Sequence, residues 1–150
     1  METKEGQVIP TVRDIISFIN DKLVVKKHQY YGKCETDVEN VIAKQLREEY
    51  GSTNIHRQYA VGGFLGLKCD LDLFDGKCCG IELKLAKQIV GNSSAYERLL
   101  GQALYYSKRC YKENLIVMVV GTAKEFVSTL KEVQSFLEDM GVLFVYKEVC

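Results

Sequence analysis

The chain has 150 residues, 47% of them hydrophobic, and its 20 basic residues balance 20 acidic ones. These values predict one domain with a hydrophobic core, and they exclude a strongly basic protein and a chain with a membrane span. The N-terminal segment METKEGQVIP is polar and lacks the apolar stretch of a secretion signal, so we expect a cytoplasmic protein.

Hydrophobic periodicity and turn signals predict the order of the elements. Apolar residues recur at helical spacing over residues 11–25, and a clearer stripe of Val38, Ile42 and Leu46 marks residues 35–50. The run LIVMVVG is typical of a central buried strand. The predicted helices cover residues 11–25, 35–50, 95–111 and 123–139, and the predicted strands cover residues 54–61, which Gly62-Gly63 ends, 115–121 and 142–146, with a β-hairpin over residues 66–87.

The predicted hairpin, GLKCDLDLFDGKCCGIELKLAK, carries most of the chemical information. Asp75-Gly76 is a strong tight-turn signal. With a three-residue loop over residues 75–77, Asp70 falls opposite Glu82 and the loop glycine is free to take positive φ. A two-residue loop would place Asp70 on the other face of the sheet. Glu82 and Lys84 are two residues apart, so they point to one face of their strand.

Two carboxylates side by side repel each other, and a divalent cation removes that repulsion. Mg²⁺ takes oxygen ligands and is commonly held by one or two carboxylates together with water and phosphate. A lysine beside them stabilises an oxyanion or aligns an attacking water. The set is therefore suited to metal-assisted hydrolysis of a phosphodiester. The alternative is an ordinary exposed hairpin whose solvent face reads Asp, Asp, Glu, Lys.

The hairpin resembles the core motif of the PD-(D/E)XK, or restriction-endonuclease-like, nuclease superfamily. That motif has an acidic residue on one hairpin strand and Glu-x-Lys on the next. Asp70 and Glu82-Leu83-Lys84 match it, whereas Cys69 replaces its proline, and Asp72 is the rival for the first acidic position. The predicted elements also follow the αβββαβ order of the superfamily core. The resemblance therefore implies an α/β fold with a mixed central sheet flanked by helices.

The resemblance extends to two helices. The family often places an acidic residue from its first core helix in the active site, and Glu35 lies on the axis of the predicted apolar stripe. Glu39, about 40° away around the helix, is the alternative. Many members have a glutamine beside the active centre on the helix after Glu-x-Lys, and Gln102 matches it. The alternative to these active-site roles is that Glu35 only complements the helix dipole and that Gln102 lies on a solvated helix shoulder.

Basic residues are concentrated between residues 84 and 112. This segment contains six basic residues and one acidic residue, so its net charge is +5. Phosphate contacts need such a local field rather than a basic total. Lys87, Arg98, Lys108 and Arg109 are therefore the candidate nucleic-acid-binding residues.

The six cysteines contain no CxxC pair, so a zinc site is poorly supported and free thiols are expected. His28 and His56 are too far apart in sequence to indicate a motif. We interpret both as ordinary surface or edge residues.

The residues and the resemblance together imply a nuclease that uses Mg²⁺ or Mn²⁺ to hydrolyse phosphodiester bonds of DNA, with RNA as the alternative substrate. Asp70, Glu82 and Glu35 would ligate the metal. Lys84 would position the nucleophile or stabilise the transition state, and Gln102 would orient substrate or water. A minimal core has little room to read sequence, so we expect structure-specific or non-specific cutting, as in junction resolvases and repair or phage nucleases. The alternative is a module of the same fold that binds nucleic acid or protein without cutting.

We expect a single domain over residues 1–150, in which residues 35–150 form the core and residues 1–34 a helical extension. The helix at residues 11–25 is strongly apolar on one side. It either caps the core of its own subunit or provides the surface of a homodimer, whose two active centres would cut both strands of a duplex.

Overall fold

The computed structural model describes residues 8–61 and 67–150. The predicted break at Gly62-Gly63 and the first hairpin residue, Gly66, lie outside these ranges. Within them, no helix combines the length and the hydropathy that crossing a bilayer needs. The helices are α1 (Val12–Asp21), α2 (Lys27–Tyr30), α3 (Glu35–Tyr50), α4 (Ala86–Ile89), α5 (Ser93–Arg109) and α6 (Ser128–Asp139), and the strands are β1 (Ile55–Ala60), β2 (Lys68–Leu73), β3 (Cys79–Leu85), β4 (Leu115–Gly121) and β5 (Leu143–Glu148).

The five strands form one mixed sheet in the order β1-β2-β3-β4-β5. Strands β1, β2 and β3 pair antiparallel, whereas β3, β4 and β5 pair parallel. Parallel neighbours need crossover connections, and α5 and α6 provide them. The predicted mixed α/β architecture is therefore confirmed, and the two single-turn helices α2 and α4 are additions that the sequence pattern did not show.

Helices cover both faces of the sheet, and β4 shows how the core is divided. All seven of its residues are buried, which is typical of a strand covered on both sides. Alternate residues join different hydrophobic clusters because successive side chains point to opposite faces. The cluster that contains α1 and α3 includes Ile116, Met118 and Val120, and the cluster that contains α5 and α6 includes Leu115, Val117 and Val119.

Helix α3 has the predicted bounds and buries the predicted stripe of Val38, Ile42 and Leu46. Its end is fixed by Gly51, whose φ of +96° suits glycine. Glu39 is buried on the same face of the helix. The apolar stripe therefore turns an acidic edge of α3 towards the sheet.

The first predicted helix is too long, because α1 ends at Asp21 rather than at residue 25. Leu23 and Val25 are buried beyond its end. Cys150 donates its backbone N–H to the carbonyl of Val25 and accepts from the N–H of Lys27. Pairing with the end of the last strand therefore replaces a final helical turn.

The apolar side of α1 packs inside its own chain. Ile15, Phe18 and Ile19 are buried in the cluster that also contains α3 residues. The outcome matches the first of the two alternatives for this helix. The argument for a homodimer that rested on an uncovered α1 surface therefore no longer applies.

The last predicted helix is interrupted at its start. Residues Ala123–Glu125 form a short 3₁₀ turn, and α6 begins only at Ser128. The carboxylate of Glu125 accepts hydrogen bonds from the N–H of Thr122 and from the hydroxyl of Tyr30, both at 2.8 Å. These contacts hold the turn against α2 and separate it from α6.

Candidate active site

The β2–β3 hairpin brings Asp70 to the level of Glu82. Leu71 pairs with Ile81, which is the register that the three-residue loop predicts. Backbone pairing ends at this pair, and beyond it Oδ2 of Asp70 accepts a hydrogen bond from the N–H of Leu83 at 2.8 Å. Asp70 therefore lies in the fork where the two strands separate, and only 8% of its surface is exposed.

Glu82 is more deeply buried than Asp70, with 2% of its surface exposed. Its Oε1 is buried and has no hydrogen-bond partner among the described residues, and its Oε2 lies 3.6 Å from Nζ of Lys84. Burial and the charge of Asp70 raise the pKa of Glu82 to about 8, although Lys84 opposes the shift. A buried carboxylate oxygen without a donor is costly, so this atom is suited to accept a proton or a cation.

Lys84 lies between Glu82 and Glu35. Its Nζ is 3.8 Å from Oε1 of Glu35, which is similar to its separation from Glu82. Both separations exceed the roughly 2.7–2.9 Å of a tight charge-assisted hydrogen bond, so the ammonium group can still contact a third anion. Burial raises the pKa of Glu35 to about 7, Lys84 opposes the shift, and Asp70 adds to it. Helix α3 therefore contributes a carboxylate to the cluster.

Glu39 also faces the sheet, but it has donors from β1. Its Oε2 lies 2.7 Å from Nε of Arg57, and its Oε1 accepts from Nε2 of Gln58 at 3.1 Å. The same Nε2 donates to Oδ1 of Asp70 at 3.2 Å, so Gln58 connects Glu39 with Asp70. Of the two candidate carboxylates on α3, Glu35 is therefore the one beside Lys84.

The sequence analysis missed Arg57 and Gln58. Gln58 has a φ of +50°, and the regular pairing of β1 with β2 skips this residue. The pairs on either side keep one register, so Gln58 lies opposite Asp70, to which its side chain donates. A strand pattern gives no signal for such a break, because the alternation of residues around it is ordinary.

Gln102 lies on α5, and its Oε1 is buried without a partner among the described residues. No hydrogen bond among those residues connects Gln102 with the carboxylates. Tyr106, one turn further along α5, lies near the cluster. Its pKa is raised first by burial and then by the charge of Glu82. The structure therefore brings α5 near Glu82 without a contact from Gln102 itself.

The four candidate nucleic-acid-binding residues lie in two places. Lys87 and Arg98 line a cavity of about 330 Å³, together with Lys84. Lys108 lines a different cavity, roughly 15 Å further along the helix axis, and Arg109 is exposed beside it. Only Lys87 and Arg98 therefore adjoin the carboxylate cluster.

A second acidic cluster occupies the turn end of the hairpin. His56, Asp72 and Asp75 each offer a ligand atom, and these atoms lie within 4.8 Å of one another. The carboxylate of Asp72 accepts from the hydroxyl of Tyr111 at 2.7 Å and from the N–H of Gly76 at 3.0 Å. The charge of Asp72 is therefore stabilised by donors of the chain.

Our interpretation of His56 as an ordinary edge residue was incomplete. It lies on the edge strand β1, directly across from Asp72 in the register. Its Nε2 is buried and has no partner among the described residues. The pairing of β1 with β2 brings this histidine to the hairpin turn, and no spacing of residues along the chain indicates that contact.

All six cysteines are free thiols. Cys69, which replaces the proline of the motif, is buried, and its pKa is raised by burial and then by the charges of Glu82 and Asp70. The thiol beside the cluster is therefore protonated and packs as a small apolar group.

Comparison with protein-family models, with curated proteins and with solved structures found no match for this chain. The chemistry that the carboxylates and Lys84 can perform therefore has to follow from their own geometry.

Proposed function

We propose that this chain is a divalent-metal-dependent nuclease of the PD-(D/E)XK type, and that its sheet and helices form the restriction-endonuclease-like core. The observation that supports this proposal best is Oε1 of Glu82, a buried carboxylate oxygen without a partner among the described residues. Burial and then the charges of Asp70 and Glu35 raise the pKa of Glu82, and Lys84 lies between two of the three carboxylates. Three carboxylates therefore share one ammonium group, and a divalent cation would balance the remaining negative charge.

The donor set suits Mg²⁺ or Mn²⁺. Both are hard cations that prefer carboxylate oxygen and water, and Asp70, Glu82 and Glu35 would hold one of them. The cation, when bound, would lower the pKa of a coordinated water and neutralise charge on the phosphate. The partly open side of the site at Glu35 leaves room for the substrate.

The other residues of the site would act on the substrate directly. Lys84, held by Glu82 and Glu35, would donate to the attacking water or to a non-bridging oxygen of the phosphate. Gln102 would orient the substrate or a water. We propose DNA as the substrate, cut according to structure or without specificity, and RNA as the alternative.

Calorimetric titration with Mn²⁺ tests the metal site. We expect binding by the wild type and loss of binding in Asp70→Asn and Glu82→Gln. Asp72→Asn is the matched control, because Asp72 lies on the same strand, is buried and changes charge by the same amount. Equal Mn²⁺ binding by the wild type and all three variants would show that the metal site is assigned to the wrong residues.

Cleavage assays then separate an enzyme from a binding module. Single-stranded, duplex, flap and four-way-junction DNA would be incubated with Mg²⁺ or Mn²⁺, and we expect at least one to be cut. Absence of cutting at high protein concentration, despite metal binding at Asp70 and Glu82, would favour a module of this fold that binds without catalysis.

A further inference from the structure

The cavity of about 330 Å³ beside the carboxylate cluster shares Glu35 and Lys84 with it. Its volume lies within the roughly 300–1,000 Å³ of small-molecule sites. Glu35 is an acidic part of its wall, on the side of the proposed metal. An occupant of this cavity would therefore be a direct neighbour of the reacting phosphate.

Three basic side chains line the cavity, namely Lys84, Lys87 and Arg98. Nζ of Lys87 donates to the carbonyls of Tyr30 at 3.1 Å and Lys33 at 2.8 Å and lies 4.5 Å from the centroid of the Tyr30 ring. Its position is therefore fixed, and none of the ion pairs among the described residues neutralises its charge. Arg98 is exposed, and none of the ion pairs among the described residues involves it. Its guanidinium therefore keeps its planar set of donors for an anion.

The two amide side chains of the wall also present donors. Oε1 of Gln88 accepts from the N–H of Leu85 at 3.2 Å, and Oδ1 of Asn92 accepts from the N–H of Ala95 at 3.1 Å. Because each amide oxygen is already used by the backbone, each NH₂ group remains for an occupant. Away from Glu35, the polar groups of the wall are thus cations and N–H donors.

We propose that this cavity binds a phosphate group of the substrate strand, adjacent to the phosphate that is cut. The inference rests on the proposed nuclease function for the identity of the strand. A phosphate has the negative charge and the acceptor oxygens that complement three cations and two amide donors, and Arg98 is the residue whose bidentate geometry fits it best. Occupancy would fix the position of the strand over Lys84.

Phosphate binding can be measured without metal and without cleavage. Inorganic phosphate and thymidine 5′-monophosphate, with thymidine as the uncharged probe, would be titrated in EDTA and followed by NMR. We expect Arg98→Gln to weaken binding of both phosphates roughly tenfold. Lys112→Gln is the control, because it removes one positive charge at a different cavity. If Arg98→Gln binds phosphate as Lys112→Gln does, the proposal is wrong.

The phosphate has two sources, which single-stranded oligonucleotides with a 5′-phosphate or a 5′-hydroxyl distinguish. A wild-type preference for the phosphorylated end that Arg98→Gln abolishes would identify a terminal phosphate. Equal weakening of the binding of both oligonucleotides by Arg98→Gln, and not by Lys112→Gln, would identify an internal phosphate. Either result supports the proposal, whereas identical affinities of the two variants for both oligonucleotides would overturn it.

The phosphate measurements and the nuclease tests can contradict their two proposals separately. Cleavage with phosphate affinity unchanged in Arg98→Gln would overturn only the phosphate cavity. Arg98-dependent phosphate binding by a protein that neither binds Mn²⁺ nor cuts DNA would instead remove the proposed nuclease function, and with it the assignment of the phosphate to a substrate strand.

Discussion

Two acidic clusters lie on the hairpin, and they differ in whether the chain supplies hydrogen-bond donors to their carboxylates. At the turn end, Asp72 accepts hydrogen bonds from the hydroxyl of Tyr111 and the N–H of Gly76, and Asp75 accepts from the hydroxyl of Tyr59. At the fork, Oε1 of Glu82 is buried without a donor among the described residues. Proximity of carboxylates is common to both clusters, so the missing donor is what distinguishes the candidate active site.

The pKa shifts show the same contrast. Burial raises the pKa of Asp72, but two hydrogen bonds from Tyr111 and Gly76 oppose the shift. Burial and the charge of Asp70 both raise the pKa of Glu82, and Lys84 is the counteracting group. Hydrogen bonds from the chain therefore offset part of the effect of burial at Asp72, whereas at Glu82 a neighbouring carboxylate adds to it, so the need for a cation is greater at Glu82.

The largest expected effect concerns the lysines beside the two clusters. Lys84→Met should reduce cleavage by about 10²–10³-fold while DNA affinity changes little, because one transition-state contact is lost among many phosphate contacts. Lys77→Met, at the exposed turn near Asp75, is the control and should cut normally. Single-turnover cleavage and a binding isotherm would measure both quantities. Equal cleavage by the two variants would remove the distinction between the clusters.

The two candidate carboxylates on α3, Glu35 and Glu39, provide the next test. Glu35→Gln should weaken Mn²⁺ binding by about tenfold or more, since it removes one oxygen ligand beside Lys84. Glu39→Gln should bind Mn²⁺ almost as the wild type does, because Arg57 and Gln58 already occupy this carboxylate. Calorimetry would compare them. The reverse order of affinities would make Glu39 the ligand.

Stability of the metal-free protein should respond with opposite signs at the two clusters. Asp72→Asn should lower the free energy of unfolding by about 1–3 kcal/mol, because a buried hydrogen-bonded charge loses its fit to Tyr111 and Gly76. Glu82→Gln should raise it by about 1–2 kcal/mol at pH 8, since it removes a buried charge without a donor. Urea unfolding in EDTA would measure both. A loss of stability in both variants would show that the Glu82 carboxylate has a stabilising partner in the folded protein.

The last comparison is the slope of stability with pH, to which one extra bound proton contributes at most about 1.4 kcal/mol per pH unit. The pKa of Glu82 rises from 4.5 in the unfolded chain to about 8 in the folded one, so between these values the folded state binds the extra proton. Stability of the metal-free protein is then greatest at the acidic end of this window and falls as the pH rises towards 8. Glu35, with a pKa of about 7, adds a smaller contribution of the same sign because it is partly exposed.

Melting temperatures in EDTA between pH 5 and pH 8 would test this slope. We expect a decrease of several degrees in the wild type, a smaller decrease in Glu82→Gln and an undiminished one in Asp72→Asn. A wild-type melting temperature that rises over this window would contradict the protonated state of Glu82.

The register of the hairpin and the bounds of α3 could be predicted from the sequence. The alternation of β2 and β3 and the signal at Asp75-Gly76 act over a few residues and leave two loop lengths. A site of paired carboxylates requires the three-residue loop, whose register the structure has. The apolar stripe of α3 likewise shows which side of the helix faces the sheet. The ends of the elements were less certain, as α1 shows, because its last predicted turn gives way to pairing with Cys150.

The sequence by itself determined that Asp70 and Glu82 face each other when the hairpin loop has three residues, since strand alternation and turn geometry are local. Only the tertiary structure decided which carboxylates have donors. Tyr111 reaches Asp72 from 39 positions away, and Arg57 reaches Glu39 from 18 positions away. Burial has the same origin, since several elements must pack before water leaves Glu82. The partner that a buried carboxylate finds, or lacks, therefore depends on contacts between distant segments, which no local pattern encodes.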